Sequence, residues 1–330
     1  MSTSSRTHPT VARIAALAPL FALHAACTSA SPVEPGAGGA GGSGNGIVLP
    51  DPGVYDCTAA GPPDRVTPID PSCATDRTCP DKLVSGHRGA GGQLGVLAPE
   101  DTLASVRAAI AIGLDFVETD PRPTADGVLV NLHDTTVDRT TDGTGAAADL
   151  TLAELQALHI DAGAFPGDYA CERIPTLADV LATARGKVHV LVDANKTDRV
   201  DLLVAAIQAT DTLDWAIFDT SSTAKIEEAL VLEPALHTMV RVGTSAELAA
   251  ALALFAAHPP VIVELSDVPS PQALTDEVHA AGHRALIDVF AFDLLAKFSN
   301  DPSDYAPVFA DGIDIAQTDR PELVLHYLGR

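Results

Sequence analysis

Two histidines and two carboxylates lie close together between Ser85 and Gly145, each at the end of an apolar run. His87 and Arg88 follow Leu83-Val84-Ser85, Glu118 and Asp120 follow Phe116-Val117, and His133 follows Val128 to Leu132. Imidazole exchanges protons near neutral pH, and paired carboxylates can hold a hard divalent cation. Residues two apart on a strand face the same way, so Glu118 and Asp120 point to one side and Thr119 to the other. Along the third run, Leu129, Asn131 and His133 share a face, which predicts that this polar face meets a site. Each feature alone fits a structural role, such as a strand-end histidine or an edge ion pair. Their occurrence in order, within one short stretch at the ends of three strand-like runs, predicts a shared site.

The elements that must position these groups alternate. After the first run, Asp101 reads as an N-cap, Leu103, Val106 and Ile110 follow at helical spacing, and Gly113 suits the helix end. Strand, helix, strand is a parallel βα unit. Further on, Thr151 to Glu154 has the form of a capping box, and a helix is expected from Thr176 to about Ala184. In Lys187 to Asp193, His189, Leu191 and Asp193 share a face. Later strand candidates are Trp215 to Phe218, His237 to Val242, Val261 to Leu265, Ala285 to Val289 and Ile313 to Ala316. Helical stretches near Thr223 to Leu232, Ser245 to Ala257 and Ser270 to Ala281 lie between them. Strict alternation over this length predicts a (β/α)8 TIM barrel rather than a doubly wound sheet, with its site at the C-terminal strand ends. There are nine candidates for eight places. One short run, near the C-terminus or at Val128 to Leu132, is therefore expected to be irregular or to pair outside the closed sheet. Asp219, Arg241, Glu264 and Asp288 are further charged strand ends, facing the same mouth or serving as caps and surface pairs. No glycine-rich nucleotide fingerprint and no internal repeat is present.

The motif series resembles the glycerophosphodiester phosphodiesterase family. That family runs HRG, PENT, V-E-x-D, DG-x-x-V-x-x-HD and L-D-R-T-T-x-G-x-G. Here the series is HRG from His87, PEDT from Pro99, VETD from Val117, DGVLVNLHD from Asp126 and VDRTTDGTG from Val137. The likeness continues to Asp311–Pro321, similar to the family's closing G-x-D-x-I-x-T-D-x-P, so it covers roughly residues 82 to 328. It implies a TIM barrel of the phospholipase-C-like phosphodiesterase type that hydrolyses glycerophosphodiesters to an alcohol and glycerol phosphate. It further implies His87 and His133 in proton transfer and Arg88 on the phosphate. The divalent cation, Ca²⁺ or Mg²⁺, would sit on Glu118, Asp120 and Asp193. The family has a glutamate in E-x-K where this chain has Asp193, and Lys196, the phosphate-contacting lysine by this likeness, stands one place late. Leu286-Ile287-Asp288-Val289 replaces the family's W-T-x-N, which predicts a more open or polar mouth and a loose preference for the alcohol. An aspartate at 193 is also similar to the related sphingomyelinase D toxins, which act on phospholipids but lack the HRG and D-R-T-T runs. The different-class alternative is a non-catalytic surface protein that binds a phosphorylated ligand. The expected partner is a small-molecule phosphodiester or lysophospholipid.

Composition narrows the rest. The chain has 330 residues, 46% of them hydrophobic, and a net charge of −24. That charge excludes nucleic-acid binding, which needs a basic footprint. Residues 1–26 carry two arginines, no lysine and no acid, and Ile14 to Ala26 is largely apolar, as in an export signal and too short for a membrane span. Leu23-His24-Ala25-Ala26 before Cys27 resembles a bacterial lipoprotein cleavage box, apart from His24. A lipid anchor at Cys27 in the cell envelope is expected, with secretion or a periplasmic location as the alternative. Residues 27–50 read as a Gly/Ser/Pro-rich flexible linker, 51–81 as a Cys-containing extension, and 82–330 as the barrel. Beside Cys27 there are four cysteines, Cys57, Cys73, Cys79 and Cys171. An even number in an exported chain predicts disulfides, and the spacing matches no zinc finger or ribbon. If all four pair, one bridge must pin the pre-barrel segment to the loop after His133.

Overall fold

Ten strands appear in the computed structural model, which describes residues 47–266, 268 and 271–330. The leader, Cys27 and the linker up to residue 46 lie outside these. The strands are β1 (Leu83–Gly86), β2 (Phe116–Thr119), β3 (Pro121–Pro123), β4 (Leu129–Asn131), β5 (His189–Asp193), β6 (Ala216–Thr220), β7 (His237–Val242), β8 (Ile262–Leu265), β9 (Ala285–Asp288) and β10 (Ile315–Thr318). Eight of them, all but β3 and β4, form a closed parallel barrel in chain order, with β10 returning to β1. Helices alternate with the strands, so the barrel is the (β/α)8 type the alternation predicts. The ninth candidate is the short run near Val128. As β4 it pairs antiparallel with β3 outside the barrel, Pro121 opposite Asn131.

Period-two geometry builds the interior. Leu83, Phe116, Leu191, Ile217, Met239, Ile262, Leu286 and Ile315, one from each barrel strand, form a fully buried apolar layer near the strand starts. Two residues further along, the same strands carry Ser85, Glu118, Asp193, Asp219, Arg241, Glu264, Asp288 and Gln317. An apolar floor thus lies under a polar layer at the C-terminal ends. His189 shares the inward face but sits below the floor, stacked on Trp215 with centroids 4.5 Å apart. Burial holds its pKa down to about 3, so it stays neutral.

The pre-barrel extension closes the other end. Cys73 and Ala74 join the apolar layer, and Ile69 and Cys79 pack against it. Cys73 and Cys79 are disulfide-bonded, and Arg284 donates to the carbonyls of Cys73 (2.8 Å) and Asp81 (2.6 Å). The second bridge, Cys57–Cys171, spans 114 residues and joins the extension to the loop after His133, as expected. Closing so long a loop contributes about 4–5 kcal/mol in the chain-entropy model. With these sulfurs paired, no thiolate among them is free for zinc.

The first helix, Leu103–Ile112, corrects one expectation. Its N-cap is Thr102, whose hydroxyl accepts from Ser105 N, and not Asp101. Asp101 has φ 59° and turns its side chain toward the site instead. The helix ends at Gly113 with φ 84°, and Thr151 forms its full capping box with Glu154.

Candidate active site

The HRG turn is built by two glycines. Gly89 has φ 100°, and a Cβ there would lie 2.3 Å from Ser105 Oγ; one on Gly86 would lie 1.9 Å from the Gly89 carbonyl oxygen. This tight turn aims the Arg88 backbone N–H at Glu118 Oε2, 3.0 Å away. Arg88 itself has φ 53°.

Glu118 and Asp120 reach the same side of β2, and Asp193 ends the neighbouring β5. One oxygen from each lies within 4.8 Å of the others, and all three residues are buried. Asp120 stands one residue beyond β2 and is pinned there by the β3–β4 hairpin. Its N–H donates to Asn131 Oδ1 (2.8 Å), and Leu132 N donates to its carbonyl (3.1 Å). Asn131 also accepts from the Thr119 hydroxyl. The polar face of the third run therefore serves the site indirectly. Asn131 clamps the end of β2, and only His133 reaches the mouth.

The electrostatics of this trio suit a cation. Burial, followed by the charges of Asp120, Asp193 and Asp101, pushes Glu118 well above the usual carboxylate range. Asp120 Oδ2 is buried without a hydrogen-bond partner, 3.8 Å from Arg88 Nε. Its Oδ1 lies 3.5 Å from Lys196 Nζ, so the late lysine still reaches the site. Asp193 Oδ1 accepts from the backbone and side-chain nitrogens of Asn195, both at 2.6 Å. Three carboxylates without nitrogen or sulfur donors fit a hard divalent ion, and such an ion would relieve their repulsion.

Both histidines are oriented by carboxylates. His87 Nδ1 lies 2.7 Å from Asp319 Oδ1, which leaves Nε2 facing Glu118 Oε2 at 4.0 Å. Burial opposes protonation of His87, but the hydrogen bond and charge of Asp319 outweigh it and raise its pKa. His133 Nδ1 lies 2.9 Å from Asp134 Oδ1. Here burial dominates and the pKa falls, despite Asp134. The His133 backbone N–H donates to Asp101 Oδ2 at 2.8 Å, which is the work of the displaced cap residue.

Several site residues escape sequence reasoning. Asp319 receives Gly92 N (3.0 Å) and Leu94 N (2.9 Å) besides His87. Glu100 binds Arg88 Nη1 (2.9 Å) and both Arg139 amino groups (2.9 and 2.7 Å). Arg139 in turn binds Asp134, so a chain of ion pairs links Arg88 to His133. Glu100, Asp134, Arg139 and Asp319 all lie inside the quoted motifs, the one signal that marks them. Across the mouth, Arg241 Nε approaches Asp219 Oδ1 (2.9 Å) and Glu264 Oε2 (3.0 Å), and Nη2 approaches Asp193 Oδ2 (3.5 Å). Burial outweighs Arg241's attraction and pushes Asp219 up to about 6 and Glu264 up to about 8.

Comparison with known proteins identifies the family and the fold. The model of the glycerophosphoryl diester phosphodiesterase family matches residues 87–288. A glycerophosphodiester phosphodiesterase of Caldanaerobacter subterraneus is 46% identical over 99 residues, 30% of this chain and 38% of that one. Glycerophosphodiester phosphodiesterase 1 of Bos taurus is 41% identical over 128 residues, 38% of this chain and 35% of that one. The chain thus spans well under half the length of these curated relatives. Among solved structures, a glycerophosphoryl diester phosphodiesterase from Parabacteroides distasonis has the same fold, with TM-score 0.67 and 22% identity over 80% of this chain and 93% of that one. An Oleispira antarctica phosphodiesterase, solved in complex with the product sn-glycerol-3-phosphate, gives TM-score 0.61 and 25% identity over 75% of this chain and 97% of that one. With the family model covering more than half of its residues, the chain belongs to the glycerophosphoryl diester phosphodiesterase family.

Proposed function

We propose that the protein hydrolyses glycerophosphodiesters to an alcohol and glycerol phosphate, with a divalent cation, Ca²⁺ or Mg²⁺, held by Glu118, Asp120 and Asp193. The observation that carries this reading is the pairing of that buried carboxylate trio with an imidazole whose Nε2 is free and 4.0 Å from Glu118. A bound ion would supply Lewis-acid neutralisation of the phosphate and its developing charge. Arg88 and Lys196 add positive charge on the same side, a local requirement in a chain of net charge −24. His133, kept neutral by burial, suits removal of a proton from the attacking oxygen. His87, kept basic by Asp319, suits delivery of a proton to the alcohol oxygen as its bond to phosphorus breaks. The family relative crystallised with sn-glycerol-3-phosphate supports glycerol phosphate as one product.

Turnover of glycerophosphocholine, measured with and without a chelator, tests the reading. Activity should disappear on chelation and return with Ca²⁺ or Mg²⁺. Full activity after exhaustive chelation would remove the metal claim, and absence of turnover under all conditions would favour a ligand-binding role.

The same reading extends to placement. An export signal followed by Cys27 and a Gly/Ser-rich linker supports a lipid-anchored envelope enzyme. Recovery of the mature chain with its N-terminus elsewhere and no attached lipid would overturn that.

A further inference from the structure

The helix Phe290–Ser299 lies along the rim of the barrel mouth. It begins two residues after Asp288, the last residue of β9. Its middle residue, Asp293, accepts from the Thr318 hydroxyl and from Asp319 N, both at the mouth end of β10. Just past its end, Asn300 Oδ1 accepts from Arg320 Nη2 at 2.9 Å. The helix is thus moored at three points to the ends of two strands, and one mooring is to Asp319, the partner of His87.

Its outer face is apolar. Phe290, Leu294 and Phe298 recur every four residues and form one stripe beside Leu295. Their exposures are 38%, 42%, 87% and 61%. These are four of the eleven large exposed hydrophobics among the described residues. Burying such side chains is favourable, and an exposed cluster marks an interaction surface. Within the helix this face carries no acid, although the chain has 44 acidic residues; its charged member is Lys297, Asp293 is turned inward, and the exposed Asp288 and Asp301 flank the helix at its two ends. Inside the helix, Ala291 and Phe292 line a cavity of about 730 Å³ that reaches Glu264 and Asp288 in the polar layer.

We propose that this rim helix seats the barrel mouth on the surface of a zwitterionic phospholipid bilayer. Apolar side chains with a flanking lysine match the interfacial region, where acyl chains meet phosphate groups. Through this stripe an otherwise strongly acidic protein presents one lysine and no carboxylate to lipid phosphates. The helix's place at the rim would bring phosphodiesters carried in that surface to the mouth that holds His87. The docking rests on the proposed activity only for its second readout.

The test uses the full chain carrying Cys27→Ser, so that no attached lipid contributes, and flotation with phosphatidylcholine vesicles. The parent should float. The Leu295→Asp/Phe298→Asp double variant should lose about tenfold or more in vesicle affinity, and the milder Phe298→Ser should fall between. Turnover of soluble glycerophosphocholine should be unchanged in both variants, which also reports that they fold. Equal flotation of parent and double variant, or a parent that does not float, would overturn the proposal. So would a parent that is dimeric in solution and split by the double variant, since the occupant would then be a second copy. If no form hydrolyses glycerophosphocholine, the activity reading fails while flotation still decides the docking.

Discussion

The two halves of the barrel mouth hold the same kind of side chain and solve the same problem differently. On the β1–β2–β5 side, Glu118, Asp120 and Asp193 face one another with Arg88 and Lys196 at 3.5 Å or more from Asp120. On the β6–β7–β8 side, Asp219 and Glu264 close on Arg241 at 2.9 and 3.0 Å. The second half carries its counter-ion in its own sequence. The first leaves its charge open, and burial together with the neighbouring carboxylates pushes Glu118 well above its ordinary range. Acid clusters of similar burial therefore differ in their counter-ion, since one holds an arginine side chain at hydrogen-bond distance and the other keeps its nearest cations at 3.5 Å or more. Asp193 belongs to both, since its Oδ2 lies 3.5 Å from Arg241.

The largest effect should come from emptying the open half. Glu118→Ala and Asp193→Ala are expected to abolish calorimetric metal binding and turnover together. His87→Ala and His133→Ala should leave metal binding intact and lower turnover by about 10²–10⁴-fold, the range for a lost proton-transfer group. If the histidine variants lost metal and the carboxylate variants kept it, the division of labour would be reversed.

The closed half is broken by Arg241→Met. Removing one partner of a buried ion pair leaves uncompensated charge and costs about 3–5 kcal/mol. The variant should melt lower, and added Ca²⁺ should recover part of the loss, because the closed half would then resemble the open one. A melting temperature that ignores both the substitution and the added ion would show that Arg241 is not the neutralising group.

Much of this was legible in the chain, for identifiable reasons. Barrel strands announce themselves because inward residues repeat every second position, so Leu191 on the floor implies Asp193 in the mouth. The run at Val128 betrayed its place outside the barrel only through proportion, nine candidates for eight places. Its cause is local: Pro121 and Pro123 lack N–H donors and make β3 an edge, against which β4 can fold back. Asp101 reads as the cap in the sequence because two good caps, Asp101 and Thr102, stand in tandem, and a positive φ at the first hands the role to the second. Arg241 could not be assigned, because its partners depend on register between strands. The pairing of β7 with β8 sets it beside Glu264. Likewise, Asp319 meets His87 across 232 residues only once β10 closes against β1.

Asp293 shows a third way to hold a buried carboxyl. It has neither a cation nor an arginine, only the hydroxyls of Tyr305 (2.6 Å) and Thr318 (2.6 Å) and Asp319 N (2.7 Å). Burial wins and pushes its pKa up to about 6, from 3.8. Because the folded state holds this proton more tightly, the contribution is fully present below about pH 4 and is lost as pH rises through 6. The difference amounts to about 3 kcal/mol. Asp293→Asn should remove that loss, so the variant should gain stability relative to the wild type between pH 4 and 7 in urea titrations. A constant offset across that window would mean that Asp293 is ionised throughout.

The smallest effect expected separates orientation from charge. Asp319 binds His87 Nδ1 and is itself fixed by Gly92 N and Leu94 N, so it sets which ring nitrogen carries the proton. With Nδ1–H donated to Asp319, Nε2 is the nitrogen that meets the reacting oxygen. Asp319→Asn keeps the size of the side chain but removes its charge. It also presents an amide that can donate to Nδ1, which would favour the opposite tautomer. Turnover should fall by about 10–100-fold, as when a group that orients a site side chain is lost, with metal affinity unchanged because Asp319 touches none of the three carboxylates. The loss of a negative partner should also lower the His87 pKa, so the pH profile of kcat/KM should shift to the acid side. A purely structural role would lower activity evenly at every pH and leave that profile in place, which would return His87 to the control of Glu118 alone.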